Sequence, residues 1–168
     1  MPATLRAATR EDLAAITAIY GHHVATGTAS FELEPPSVDD MQERFDRLVA
    51  AGYPYLVAED TAQGTVVGYG YLGPFRERPA YRYFAEDSIY LHPDHCGRGL
   101  GRQLLQTLIV AGTDAGFTQL VAFIGDSANT PSIQLHRAVG FEQCGLLRQA
   151  GHKFDRWLDV VIMQRKLA

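Results

Sequence analysis

The segment Asp94-His95-Cys96-Gly97-Arg98-Gly99-Leu100-Gly101-Arg102 decides how the rest of the chain is read. It follows a strand-like run, Glu86 to Leu91, and opens a run with Leu100, Leu104, Leu105, Leu108 and Ile109 at helical spacing. Three alternate glycines strip side chains from the turn, so consecutive backbone N–H groups can converge on an anion. The start of the helix adds a positive dipole end, and Arg98 and Arg102 add mobile charge. The stretch reads as a pyrophosphate cradle, although a glycine cluster alone suits an ordinary strand-to-helix turn equally well. No Lys-Ser or Lys-Thr follows, as a nucleoside-triphosphate loop requires, and the last glycine comes one position too early for a dinucleotide turn.

The surrounding chain has 168 residues, 46% hydrophobic and 20% charged, which suits one globular domain over residues 1–168. A net charge of −4 gives no chain-wide footprint for nucleic acid or an anionic membrane, so an anion must be met locally. Cys96 and Cys144 stand far apart and form no C-x-x-C, which suits a reducing cytosol. Neither a leader-like N-terminus nor an apolar run of about 18 residues is present, so a cytoplasmic protein is expected.

Outward from the glycine turn, the patterning gives a mixed α/β domain of about seven strands and four helices. Strands are expected over Thr4–Ala8, Tyr55–Glu59, Val66–Leu72, Glu86–Leu91, Leu120–Ile124, Phe141–Arg148 and Arg156–Gln164. Thr9 with Asp12 should cap a first helix whose inner face is Leu13, Ile16, Ile19, Tyr20 and Val24. Ser37 should cap a second helix carrying Met41, Phe45, Leu48 and Val49. The glycine turn opens the third, and Pro131 starts a short fourth that reaches Val139.

Downstream, Asn129-Thr130-Pro131-Ser132-Ile133-Gln134-Leu135-His136-Arg137-Ala138-Val139-Gly140-Phe141 fits the pattern N-x-x-[SA]-x-x-L-[YH]-x-x-x-G-F. With the R/Q-x-x-G-x-G/A pattern of the glycine turn, it resembles the GNAT N-acetyltransferases over essentially the whole chain. A narrower likeness rests on Thr28 to Glu32, Gly52-Tyr53-Pro54, Tyr81-Arg82, Glu86-x-Ser88-x-Tyr90 and Lys153-Phe154-x-Arg156-Trp157-Leu158-Asp159. These stretches resemble the phosphinothricin and methionine sulfoximine acetyltransferases. The chain departs from that pattern at Cys96, where Gln or Arg is usual, at Asp87, and at Arg78 in the substrate loop.

The resemblance implies a mostly antiparallel sheet, acetyl-CoA as co-substrate, direct transfer to the amine of a small amino-acid-like molecule, and a homodimer. It implies that Ile89, Tyr90 and Leu91 present backbone groups to the pantetheine arm, with the Leu91 N–H as oxyanion donor. Gly97, Arg98, Gly99, Leu100, Gly101 and Arg102 would take the pyrophosphate, and Asn129 and Ser132 would meet the pantetheine. Acetyl transfer also needs a neutral amine and a proton for the leaving thiolate. Glu86 suits the first as general base. His136 suits the second as general acid, or it hydrogen-bonds the coenzyme, or it packs beside Leu135 and Phe141. Arg76, Glu77 and Arg78 form a loop whose guanidinium forks suit carboxylate, phosphinate or sulfonyl oxygens. Phe31, Tyr83 and Trp157 are candidate pocket walls, with Asp87 and Ser88 beside the substrate.

Two alternatives stand beside this reading: an acetyltransferase for peptide or protein N-termini, and a non-catalytic acyl-CoA sensor. His92, Asp94 and His95, or His22 with His23, hint at a metal, but no further pair completes a four-ligand set, so none is expected.

Overall fold

The chain enters on strand β1 (Ala3–Ala7) and turns at Thr9, whose N–H donates to the Asp12 carboxylate at 2.8 Å. Arg6 reaches the same carboxylate with two N–H groups, both at 2.8 Å. One 3-10 turn later the chain runs into helix α1 (Leu13–Thr26). Ser37 and Asp40 cap helix α2 (Val38–Ala50) reciprocally. Strands β2 (Tyr55–Asp60), β3 (Thr65–Pro74) and β4 (Phe84–Leu91) follow, then helix α3 (Leu100–Asp114), β5 (Gln119–Gly125) and helix α4 (Thr130–Ala138). The chain closes with β6 (Glu142–Lys153) and β7 (Arg156–Lys166). This computed structural model describes residues 3–167.

The strands make one sheet in the order β1-β2-β3-β4-β5-β7-β6. Every neighbouring pair is antiparallel except β4 and β5. A parallel pair needs a crossover, and α3 supplies it. Helices α1 and α2 cover one face, where Leu13, Ile16, Val24 and Phe45 pack on Tyr55, Val57 and Tyr69. Helices α3 and α4 cover the other, where Leu104, Leu105 and Leu108 pack on Leu72, Ala85 and Leu120. Each of those helix leucines is fully buried, worth about 1.5–3 kcal/mol against exposure. The mixed, mostly antiparallel architecture is the expected one.

Three details differ from the sequence reading. Val49 is exposed, so the inner face of α2 is Met41 and Phe45 with Leu48 partly buried. Strand β6 continues past Arg148 to Lys153, because the pairing with β7 shifts register between Leu147 and Gly151. Gln149 there takes φ 51° and donates its N–H to Asp159 Oδ1 at 2.8 Å, so a stretch that resembles a turn is a bulge inside a long hairpin. Trp157 is exposed on that hairpin beside His152, with ring centroids 4.8 Å apart, and it lines neither the cavity nor the recess described below.

Candidate active site

Strands β4 and β5 pair only at Phe84↔Gln119, Ala85↔Leu120 and Glu86↔Val121, and then part. The register with β3 says which groups the parting exposes. The His92 N–H donates to the Val67 carbonyl at 2.8 Å. Antiparallel ladders alternate, so Tyr90 and Ser88 also turn their backbone groups to β3. The N–H and C=O groups of Asp87, Ile89 and Leu91 therefore face the gap. Side chains alternate too. Tyr90 packs toward α1, its ring 5.0 Å from that of Tyr20, and Glu86 and Ser88 share its face. Ile89 and Leu91 pack with the α3 cluster, and Asp87 lies on their side.

A cavity of about 310 Å³ occupies the gap. Phe31, Glu86, Asp87, Ser88, Ile89, Tyr90, Asn129, Ser132 and His136 all line it, whereas Leu91 does not, and Tyr90, expected to offer backbone groups to the coenzyme, spends them on β3. Gly125, Phe123 and Tyr71 are also among its walls. Glu86 also lines a second recess of about 220 Å³, shared with Arg44, Arg47 and Ser88. Burial pushes the Glu86 carboxyl up to about 7, the neighbouring Asp87 charge adds to the rise, and Arg76 opposes it. A carboxyl poised there can exchange a proton with an amine near neutral pH.

His136 is buried on α4, and both its ring nitrogens are engaged. Nδ1 lies 2.8 Å from the Ser132 carbonyl and Nε2 lies 2.9 Å from Asp87 Oδ2. Carbonyl and carboxylate oxygens accept, so the ring holds a proton on each nitrogen. Burial pulls the imidazole pKa down, and the Asp87 charge and hydrogen bond, with Ser132, more than offset it and raise it. Neither N–H is left free for a departing thiolate. Asp87 Oδ1, in contrast, is buried without a protein partner and borders the cavity. Breaking a buried pair leaves an uncompensated charge and costs about 3–5 kcal/mol. Because the histidine pKa is raised in the fold, the pair's contribution is full below about 6.5 and fades as pH climbs through the raised value. Asp87→Asn is therefore expected to lower the melting temperature most at pH 6, with the gap to the parent narrowing by pH 9. Melting curves across that range test it; a constant gap would overturn the pairing.

Past the end of β4, the glycine turn takes left-handed backbone. Gly97 and Gly99 have φ of 72° and 78°, and a Cβ at either would meet nothing within 4 Å. Gly99 is the N-cap of α3, and Arg98 and Arg102 are exposed around it. The backbone is thus bare toward solvent where an anion would approach the helix N-terminus.

Arg76, Glu77, Arg78 and Tyr83 are exposed and line neither the cavity nor the recess. Arg76 reaches the site only through its charge on Glu86, and Arg82 lies 4.4 Å over the Tyr83 ring. His23 is a site residue the sequence reading missed. Its Nε2–H donates to the Leu91 carbonyl at 2.7 Å, and burial holds its pKa below the ordinary histidine value. The His22-His23 doublet marked the position, but only the fold shows that it clamps β4. Among the described residues no three His, Cys, Asp or Glu side chains converge as metal ligands.

Comparison with known proteins bears on this geometry. The family model for the acetyltransferase (GNAT) domain matches residues 5–162. The phosphinothricin N-acetyltransferase of Alcaligenes faecalis is 51% identical over 164 residues, 98% of this chain and 82% of the relative. The L-methionine sulfoximine/L-methionine sulfone acetyltransferase of Pseudomonas paraeruginosa is 43% identical over 167 residues, 99% of this chain and 96% of the relative. Among solved structures, the phosphinothricin acetyltransferase from Sinorhizobium meliloti in complex with AcCoA superposes with a TM-score of 0.96. It is 48% identical and the match covers 100% of this chain and 90% of that one.

Proposed function

The chain belongs to the GNAT acetyltransferase family, and from that premise we propose that it is an acetyl-CoA-dependent N-acetyltransferase for small amino-acid-like amines of the phosphinothricin, methionine sulfoximine or methionine sulfone type. The observation that carries this reading is the arrangement along one strand: the Glu86 carboxyl and its cavity where β4 parts from β5, the unpaired backbone edge beyond, and the bare glycine turn after the strand ends. The residues fit the coenzyme. Gly97 to Arg102 would hold its pyrophosphate, and the free edge of Asp87 and Ile89 would pair with its pantetheine amides, with Asn129 and Ser132 opposite. The coenzyme, when bound, supplies the activated acetyl group.

The chain's own residues do the rest. Glu86 takes the ammonium proton of the acceptor, directly or through water, which frees the nitrogen lone pair. The Leu91 N–H stabilises the charge that develops on the carbonyl oxygen; one such donor is worth about 2.7–4 kcal/mol. His23 fixes the peptide that follows by holding its carbonyl. His136 acts through Asp87, which it orients, while the thiolate, a good leaving group, takes its proton from solvent. Arg76 draws an anionic acceptor toward Glu86 by charge, with Phe31 as pocket wall. Residues 1–168 act as one catalytic domain, in the cytoplasm and as a homodimer.

Release of free thiol from acetyl-CoA tests the activity over a panel of methionine sulfoximine, methionine sulfone, phosphinothricin, polyamines and N-terminal peptides. Turnover is expected with the first three. Turnover confined to peptides would instead favour an N-terminal acetyltransferase, and binding of acetyl-CoA with no thiol release would leave a sensor. Light scattering at micromolar concentration should give twice the 18.5 kDa chain mass, and a monomer mass refutes the dimer.

A further inference from the structure

The loop over residues 27–36, between α1 and α2, carries Phe31 to the wall of the cavity, and it is anchored from the opposite end of the sheet. Lys153, the last residue of β6, is buried. Its ammonium donates to the Val24 carbonyl at 2.7 Å and the Ser30 carbonyl at 2.8 Å. Val24 lies in the last turn of α1, where carbonyls lack helix partners and the dipole end favours a cation. Both acceptors are neutral, and burial draws the lysine pKa below its ordinary value. A lysine is kept in such surroundings only where its hydrogen bonds are made.

The same loop is tied at its other residues. The hydroxyls of Ser30 and Tyr20 share a buried hydrogen bond of 2.8 Å. Thr28 Oγ1 donates to Asp126 Oδ2 at 3.0 Å, and Asp126 itself sits at φ 70° just past β5. The outcome of all these ties is the seat of Phe31. Its ring lies against two glycines from different strands. A Cβ at Gly125 would stand 2.9 Å from the ring, and one at Gly151 would enter the ring's own van der Waals volume. Any side chain at either position would push the ring into the cavity or off it.

We infer that Lys153 is a positioning residue for acceptor specificity: through loop 27–36 it holds Phe31 on Gly125 and Gly151 and so sets the size of amine the cavity admits. The inference rests on the cavity being the acceptor site. Lys153 touches neither substrate; it acts through Phe31. With the latch intact, the wall is fixed and small amines fit. With it released, the ring is free to leave its seat, small amines lose a contact surface and bulky ones gain room.

Lys153→Met keeps the length of the side chain and removes its donors. It is expected to raise KM for the parent's best amine about tenfold and to narrow the preference over phenylalanine, with KM for acetyl-CoA within about twofold of the parent. Hydrogen exchange of residues 27–36 should quicken, whereas that of α3 should not. Gly151→Ala, which leaves Lys153 in place, should raise the amine KM by displacing the ring, so the test survives if Lys153→Met does not fold. In a Phe31→Ala background neither substitution should add to the amine KM, since the group they act through is gone. Amine and acetyl-CoA KM rising together, an additive effect without Phe31, or unchanged exchange in the loop would each overturn the inference. If the parent acetylates only polyamines or peptides, the amino-acid reading fails by itself, and the same comparison on that amine still decides the role of Lys153.

Discussion

Glu86→Gln is expected to lower kcat/KM for the amine about 10²–10⁴-fold, with acetyl-CoA affinity close to that of the parent. The Gln amide keeps the size and polarity of the side chain and cannot take a proton. In the parent, burial and the adjacent Asp87 hold the carboxyl at about 7. Below that pH it is protonated and cannot serve as base, so kcat/KM should rise with pH through about 7 and lose that inflection in the variant. The same shift has a measurable stability sign. Between the ordinary value of 4.5 and about 7, the unfolded chain ionises this group while the folded chain keeps its proton. The parent's stability therefore declines across this window, and Glu86→Gln should flatten the decline. Chemical denaturation at pH 5 and pH 8 reads it independently of catalysis. A variant with parent-like kcat/KM and an unchanged inflection near 7 would remove Glu86 from the mechanism.

Gly99→Asp is expected to raise KM for acetyl-CoA about 10²-fold. Two effects combine. The backbone there has φ 78°, where a side chain costs about 1–2 kcal/mol. The carboxylate would also stand in the open space above the helix N-terminus, where phosphate oxygens belong. Gly64→Asp separates the two, because Gly64 has φ 65° in the β2–β3 turn and equally open surroundings. It shares the backbone penalty and should leave acetyl-CoA binding unchanged. If Gly99→Asp, folded by circular dichroism, binds acetyl-CoA as the parent does, the cradle is misassigned.

What the sequence made legible was local. The glycine turn, the caps at Thr9 and Ser37 and the apolar spacing of α1 and α3 are read from neighbours in the chain, and all stand in the fold. Glu86, Ser88 and Tyr90 follow from strand alternation once the strand is placed. The pairings that shape the site join residues far apart, and no pattern announces them. Asp87 meets His136 across 49 positions, His23 meets Leu91 across 68, and Lys153 meets Val24 across 129. The role given to the charged loop from Arg76 to Tyr83 suffered from the same blindness. Such a run looks equally suited to binding an anion or to lying in water, and its side chains are in water. Arg44 and Arg47, on α2, escaped notice because a charged helix residue ordinarily faces solvent, yet they border the recess behind Glu86.

The three residue pairs that join β4 to β5 make the sheet two leaves held at one end, strands β1 to β4 on one side and β5 to β7 on the other. Beyond Val121 no ladder pair among the described residues bridges them. On the proposed reading the pantetheine arm lies in that opening and bonds the free edge of β4, so the coenzyme acts as a keystone. Its occupancy is then worth about 2.7 kcal/mol of folding stability at a hundred times its Kd. The protein's resistance to heat and proteolysis should track the local supply of acetyl-CoA, and the amides of Ile89 and Leu91 should be the first to slow in exchange as that supply rises.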